Sequence, residues 1–301
     1  MNANTLSSVL IFLKKSCRVL WTAVLKYAHT DGEQRAASFA YYALFALFPL
    51  LVLCVTVSSQ FIDKKEASDA ILRLISKFIP MGAAGEDAVI KTVIGVVNTR
   101  KPVGIFAMLL LVWGSFGFFH ALVRGVNRAW GTLEYPWYRL PFKNLVMVGI
   151  LGSALFIGIV APAIAQTVES YLWKQNPTVV TNMMFYTVRK AQQLLPWFVL
   201  FYAFSMFYKF APRQHRQFGE VWFSALFVTV ALQALRNLFV LFTQNFLNFN
   251  KLYGALGGVV GLLMWIYLSG SIIILGGCLN AAQVEIMGRK EDVGKEETPG
   301  V

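Results

Sequence analysis

Gln233, Asn237, Gln244 and Asn248 fall at i, i+4, i+11 and i+15 in an otherwise apolar run, so on a helix they share one face. Arg236 sits beside them, and Asn245 and Asn250 extend the polarity. An arginine within an apolar span is costly unless it is paired, hydrated or close to an interface. Two readings are open. In one, the stripe lines a hydrated groove, and the Arg236 guanidinium meets an anionic group such as a phosphate through its fork of N–H donors. In the other, the helix ends early and Arg236 snorkels to the outer surface.

A second polar feature lies near the start of the chain. Tyr41 and Tyr42 stand in an uncharged run of aromatic and small residues, and their hydroxyls need partners at an inner face or an interface. They complete the candidate groove set of Arg236, Gln233, Asn237, Gln244, Tyr41 and Tyr42. Three histidines, His29, His120 and His215, are scattered. A proton relay through His120 lacks a carboxylate near it in sequence, and an interfacial histidine accounts for it better. Cys17, Cys54 and Cys278 show no metal-ligand spacing. No catalytic, cofactor-binding or metal-binding set is visible, so the expectation is a protein that is not an enzyme and carries no cofactor.

These residues need elements to position them. The chain has 301 residues, 57% hydrophobic and 14% charged. A soluble domain carries about 25% charged residues, so the class is an all-α polytopic membrane protein. The formal charge of +12 flanks apolar runs, which points to anionic lipid headgroups as partner and away from nucleic acid. The N-terminus lacks the short apolar region and small-residue site of a cleavable signal.

Six transmembrane helices are expected, at about 38–60, 103–122, 145–166, 196–211, 221–242 and 256–279, within a single domain over 29–284. Residues 1–28 form an interfacial amphipathic helix. Its apolar stripe is Leu6, Val9, Leu10, Leu13, Cys17, Leu20, Trp21, Val24 and Ala28, with Lys14, Lys15, Arg18 and Lys26 on other faces. That stripe either lies in the membrane interface or docks on the protein itself. The polar connection from Phe61 to Pro102 reads as an outer helical hairpin, and Asn176-Pro177 reads as a turn. Pro49 predicts a kink in the first span, and Pro162 a kink or an end in the third. The charged tail 285–301 is expected to be disordered. Six spans put both termini on one side. Basic residues in the N-terminal segment, in 123–144 and at Arg213 and Arg216 make that side cytoplasmic.

Helix packing is expected at small residues. Ala36, Ala40 and Ala43 share a face of the first span. Gly254 with Gly258, and Gly257 with Gly261, are GxxxG pairs opening the sixth. Asn280, near the inner end of that span, reads as a helix cap or as a bond across helices.

Three stretches carry a family resemblance. AASFAYYALFALFPLL from Ala36, WGSFGFFHALVRGVNRAW from Trp113 and YGALGGVVGLLMWIYLSGSIIILGGCLNAA from Tyr253 resemble the signature segments of the YihY/BrkB family of bacterial inner-membrane proteins. Many members carry an acidic residue where this chain has Leu279, so any role of that carboxylate is absent or moved here. The resemblance implies six helices in the bacterial inner (cytoplasmic) membrane and links to envelope integrity, serum resistance and lipid export. The family's older name, ribonuclease BN, fits poorly with a chain that shows no acid–base or metal constellation. The functional expectation is passive or partner-driven translocation of lipid or a similar amphiphile. The alternative is a structural envelope scaffold with a dry, tightly packed interior. An envelope protein partner or a homo-oligomer is compatible with both.

Overall fold

The computed structural model describes residues 3–58, 104–131, 140–174, 179–213, 216–245 and 256–296. Among the described residues every regular element is a helix and there is no strand. In chain order they are α1 (Ala3–His29), α2 (Gly32–Ser58), α3 (Gly104–Ala129), α4 (Leu140–Lys174), α5 (Val179–Phe210), α6 (Phe218–Asn245) and α7 (Leu256–Glu296). Two spans among the described residues, Phe218–Phe242 and Val259–Ile286, are long and apolar enough to cross a membrane. Leu145–Gly158 is a shorter apolar stretch. The outer connection 61–102 and the Asn176-Pro177 turn lie outside the described residues.

The single domain expected over 29–284 divides into two compact units. One holds residues 1–134 with 230–282, and the other holds 135–229 with 283–301.

In the first unit, α1 hands over to α2 through a two-residue link in which Asp31 takes φ 54°. The Thr30 hydroxyl donates to the Lys26 carbonyl at 2.7 Å, and Arg35 Nε donates to the Thr30 carbonyl at 2.9 Å. These bonds satisfy carbonyls that the end of α1 would leave open. Glu33 in the first turn of α2 complements that helix's dipole. Helix α2 lies along α3 at close range. A methyl at Gly114 would stand 3.0 Å from the Ala46 Cα, and Phe39 meets Phe118 with ring centroids 4.6 Å apart. Helix α7 packs on α3 in the same way, with Gly277 against Val126 and Ile274 against Gly125. Helix α3 continues beyond the expected boundary at 122 to Ala129, and Gly131 at φ 62° ends it in a left-handed cap.

In the second unit, α4 and α5 run antiparallel. Lys143 faces Phe210, Ser153 faces Tyr202 and Gly158 faces Val199. Helix α6 begins beside them, with Phe218 and Phe201 centroids 6.4 Å apart. The Gln217 backbone N–H donates to the Glu220 carboxylate at 3.3 Å, as in half of a capping box.

Pro162 lies inside α4, which excludes the end and leaves the kink of the two readings, and Pro196 lies inside α5, which begins well before the expected span at 196–211. An apolar helix tolerates proline because local adjustment and neighbouring groups satisfy the one freed carbonyl. Helix α7 runs on through Glu296 into the tail 285–301, and residues 297–301 lie outside the described set. Glu285 with Arg289 and Glu291 with Lys295 are i, i+4 pairs in the favourable order, a helix-supporting pattern that net composition hides.

Candidate functional site

The polar face of α6 emerges near the end of the first membrane-spanning candidate. Arg236 and Asn237 are exposed and Gln233 is half-buried. Arg236 stands six residues before Phe242, about 9 Å along the axis at 1.5 Å per residue. Three residues on, about 60° round the helix from Arg236 and well round it from Asn237, Phe239 is buried, with its ring 5.2 Å from Trp265 of α7. The Phe239 contact anchors this turn of α6 to α7, while Arg236 and Asn237 on the same turn stay exposed. Helix α6 extends through Gln244, but Asn248 and Asn250 lie outside the described residues.

The tyrosines divide. Tyr41 is exposed and leans on Phe45, with centroids 4.7 Å apart. Tyr42 is half-buried, and its ring sits over Gly117 and edge-on to Trp113 at 5.5 Å. Tyr41, Tyr42, Phe45 and Trp113 form an aromatic seam along α2 and α3. Its outer members Tyr41, Phe45 and Trp113 are exposed.

The small-residue face of α2 behaves as its spacing suggests at two positions. Ala36 and Ala40 are buried, while Ala43 is half-buried. The glycines of α7 are less uniform. A side chain at Gly261 would meet nothing within 4 Å, so the described neighbours leave that position open. Gly254 lies outside the described residues, and Gly257 and Gly258 fall on the first turn of α7. The close contacts of α7 come later. Gly270 underlies the Phe39 ring, and a methyl at Gly277 would stand 2.8 Å from Val126. Asn280 is fully buried, and neither amide atom has a hydrogen-bond partner among the described residues. The helix runs on to Glu296, so Asn280 is not a cap.

Sequence reasoning missed two lysines that close helix ends. Lys26 Nζ donates to the Ala129 carbonyl at 3.4 Å, tying α1 to the last turn of α3. Lys143 Nζ donates to the Phe210 carbonyl at 2.7 Å, tying α4 to the last turn of α5. Burial holds the Lys143 ammonium below the usual lysine range. A cation at a helix C-terminus is favoured by the dipole, and here each comes from another helix. Tyr27, next to Lys26, lays its ring on Gly32. Burial raises its phenol above the usual range, against an opposing pull from the Ser271 hydroxyl. Asn127, which shares its helix face with His120, is buried and donates back to the Val123 carbonyl at 2.8 Å. Among the described residues no three of His, Cys, Asp or Glu converge as metal ligands.

A long-helix fold with apolar spans and a polar face on one of them defines a helical membrane protein. The family model for virulence factor BrkB matches residues 23–299, and the chain belongs to that family. It is similar to the putative ribonuclease-like protein YfkH of Bacillus subtilis, 26% identical over 267 residues, covering 85% of this chain and 91% of that protein. It is also similar to the UPF0761 membrane protein NMB0524 of Neisseria meningitidis serogroup B. That match is 24% identical and covers 89% of this chain and 64% of the relative. A UPF0761 membrane protein of Xanthomonas campestris is 26% identical, with coverages of 82% and 56%. The chain thus spans less than two thirds of the Neisseria and Xanthomonas relatives. No solved structure matches the chain.

Proposed function

We propose that the protein crosses the bacterial inner membrane six times, with both termini in the cytoplasm, and assists passive or partner-driven translocation of lipid or a similar amphiphile. Arg236 is the anionic headgroup's contact, with Gln233, Asn237 and Gln244 as adaptable polar neighbours and Tyr41 and Tyr42 on the aromatic seam. The reading is non-enzymatic and gives no weight to the word ribonuclease in a relative's name. The carrying observation is that Arg236 and Asn237 lie exposed on a helix apolar enough to span a membrane. Exposed polarity at that depth is stable only beside water, a headgroup or a partner. The test is translocation of fluorescent lipids in liposomes holding the purified protein, beside empty liposomes. Movement above background supports the reading; none across several headgroups, with the fold intact, removes it.

One observation favours a scaffold instead. The contacts at Gly114, Gly117, Gly270 and Gly277 are tight enough to leave no room for a side chain without movement. Cysteine accessibility along α6 separates the two. Periodic aqueous labelling at positions 233, 237 and 244 marks a hydrated groove, and uniform protection marks a dry packed face.

A further inference from the structure

Among the described side chains of α1, the large apolar residues Leu20, Trp21, Val24 and Leu25 are exposed, while Val19 and Ala23 are buried beside half-buried Lys26 and Tyr27. Trp21 is 65% exposed, Val24 48%, Leu25 42% and Leu20 40%. At roughly 100° per residue, Cys17, Leu20, Trp21, Val24 and Ala28 fall in one arc, well round the helix from Val19 and Ala23. Leu6, Leu10 and Leu13 occupy the same arc by register. The sequence stripe therefore runs continuously along the helix by register, and its described part is left uncovered by the described residues.

Charge selects the occupant. Helix α1 contains no acidic residue, and Lys14 and Arg18 flank the stripe by register, with Arg18 exposed. Position supports the same choice. Helix α1 ends two residues before α2, the first proposed span, and Lys26 holds it to the end of α3. Its apolar stripe is thus tethered where the chain enters the bilayer.

We propose that α1 is a membrane-surface strap: its Val19/Ala23 side docks on the protein, and its Cys17/Leu20/Trp21/Val24 side inserts into an anionic leaflet, with Lys14 and Arg18 among the headgroups. An amphipathic helix of this kind sits about 5–10 Å into the boundary between headgroups and acyl chains. The proposal rests on the membrane location of the family and not on lipid translocation, so either can fail without the other.

The test uses the full chain in nanodiscs, with an environment-sensitive fluorophore on the natural Cys17 in a Cys54→Ser, Cys278→Ser background. The expected result is a blue-shifted probe that is quenched by lipids brominated high on the acyl chain and shielded from aqueous iodide. Quenching is stronger in phosphatidylglycerol than in phosphatidylcholine, and Lys14→Gln with Arg18→Gln erases that difference. A probe on His29→Cys, off the stripe, stays open to iodide. Iodide access at Cys17 in both lipids overturns the proposal. So does protection that disappears when each nanodisc holds one copy, which would make a second chain the occupant. Equal quenching in both lipids overturns the anionic surface. If the cysteine replacements unfold the protein, a photo-crosslinker in place of Trp21 in the otherwise natural chain decides: lipid adducts support the strap, and protein adducts alone overturn it.

Discussion

The Tyr42 ring occupies the space that a side chain at residue 117 would need. The two positions are complementary: a bare backbone on α3 receives an aromatic ring from α2. Gly117→Ala should therefore destabilise the protein by about 1–3 kcal/mol, the usual cost of overpacking. Tyr42→Ala should cost a similar amount through the opposite fault, an unfilled gap. The double substitution should be less damaging than the sum. Thermal unfolding in detergent measures the coupling, and strict additivity would mean that the ring moves aside freely.

Glycine contacts also show what was legible. The GxxxG pattern opening the expected sixth span points to Gly254, Gly257, Gly258 and Gly261, yet Gly261 meets none of the described residues, and the tight positions of α7 are Gly270 and Gly277. Spacing within one helix says that a smooth face exists; it does not say which turn of that face meets a neighbour. The all-α class and the helices over the expected spans follow from apolar run length, which is local. The Lys26 and Lys143 caps and the division into two units depend on which helices meet, so no periodicity reports them. Gly277→Leu should accordingly be far more destabilising than Gly261→Leu in the monomer. If Gly261→Leu is instead the damaging one, that face is covered in an assembly, and size-exclusion chromatography with light scattering would show the difference.

Lys143 illustrates a bond made against a penalty. It donates at 2.7 Å to Phe210, while burial disfavours its charge. Lys143→Met keeps the aliphatic stem and loses the donor, leaving the end of α5 with an open carbonyl. The expected loss is about 1 kcal/mol, the net worth of an ordinary hydrogen bond. Faster amide exchange near Ala211, whose N–H bonds the Phe207 carbonyl at 2.7 Å, should accompany it. An unchanged melting point and unchanged exchange would mean that water replaces the lysine without loss.

Tyr27 supplies a pH dependence whose sign is fixed by its burial. The phenol's folded value is raised above the ordinary 10.0, so the folded protein holds the proton more tightly than the unfolded chain. The stabilisation is complete below about pH 10 and is lost as pH rises through the raised folded value. Detachment of α1, followed by exchange at Val19 and Ala23, should therefore grow in that alkaline window. Tyr27→Phe keeps the ring on Gly32 and should flatten the dependence. A Phe variant with the same alkaline transition would place the titrating group elsewhere.

Arg236 separates charge from geometry at the proposed headgroup contact. Lysine keeps the charge and loses the planar fork that matches a phosphate with two N–H donors. If the guanidinium reads the headgroup, Arg236→Lys should slow lipid movement in liposomes severalfold and Arg236→Gln more, with the melting point nearly unchanged because the side chain is exposed. A charge-only role would leave lysine fully active. If Arg236 merely snorkels to the interface, all three proteins should move lipid equally, since an interfacial position satisfies any polar head. Parallel loss of stability and transport would assign the residue to the fold through its existing interactions. The ratio of the Lys rate to the Gln rate at matched stability is therefore the informative number, and it should rise above one with anionic lipids and stay near one with neutral amphiphiles.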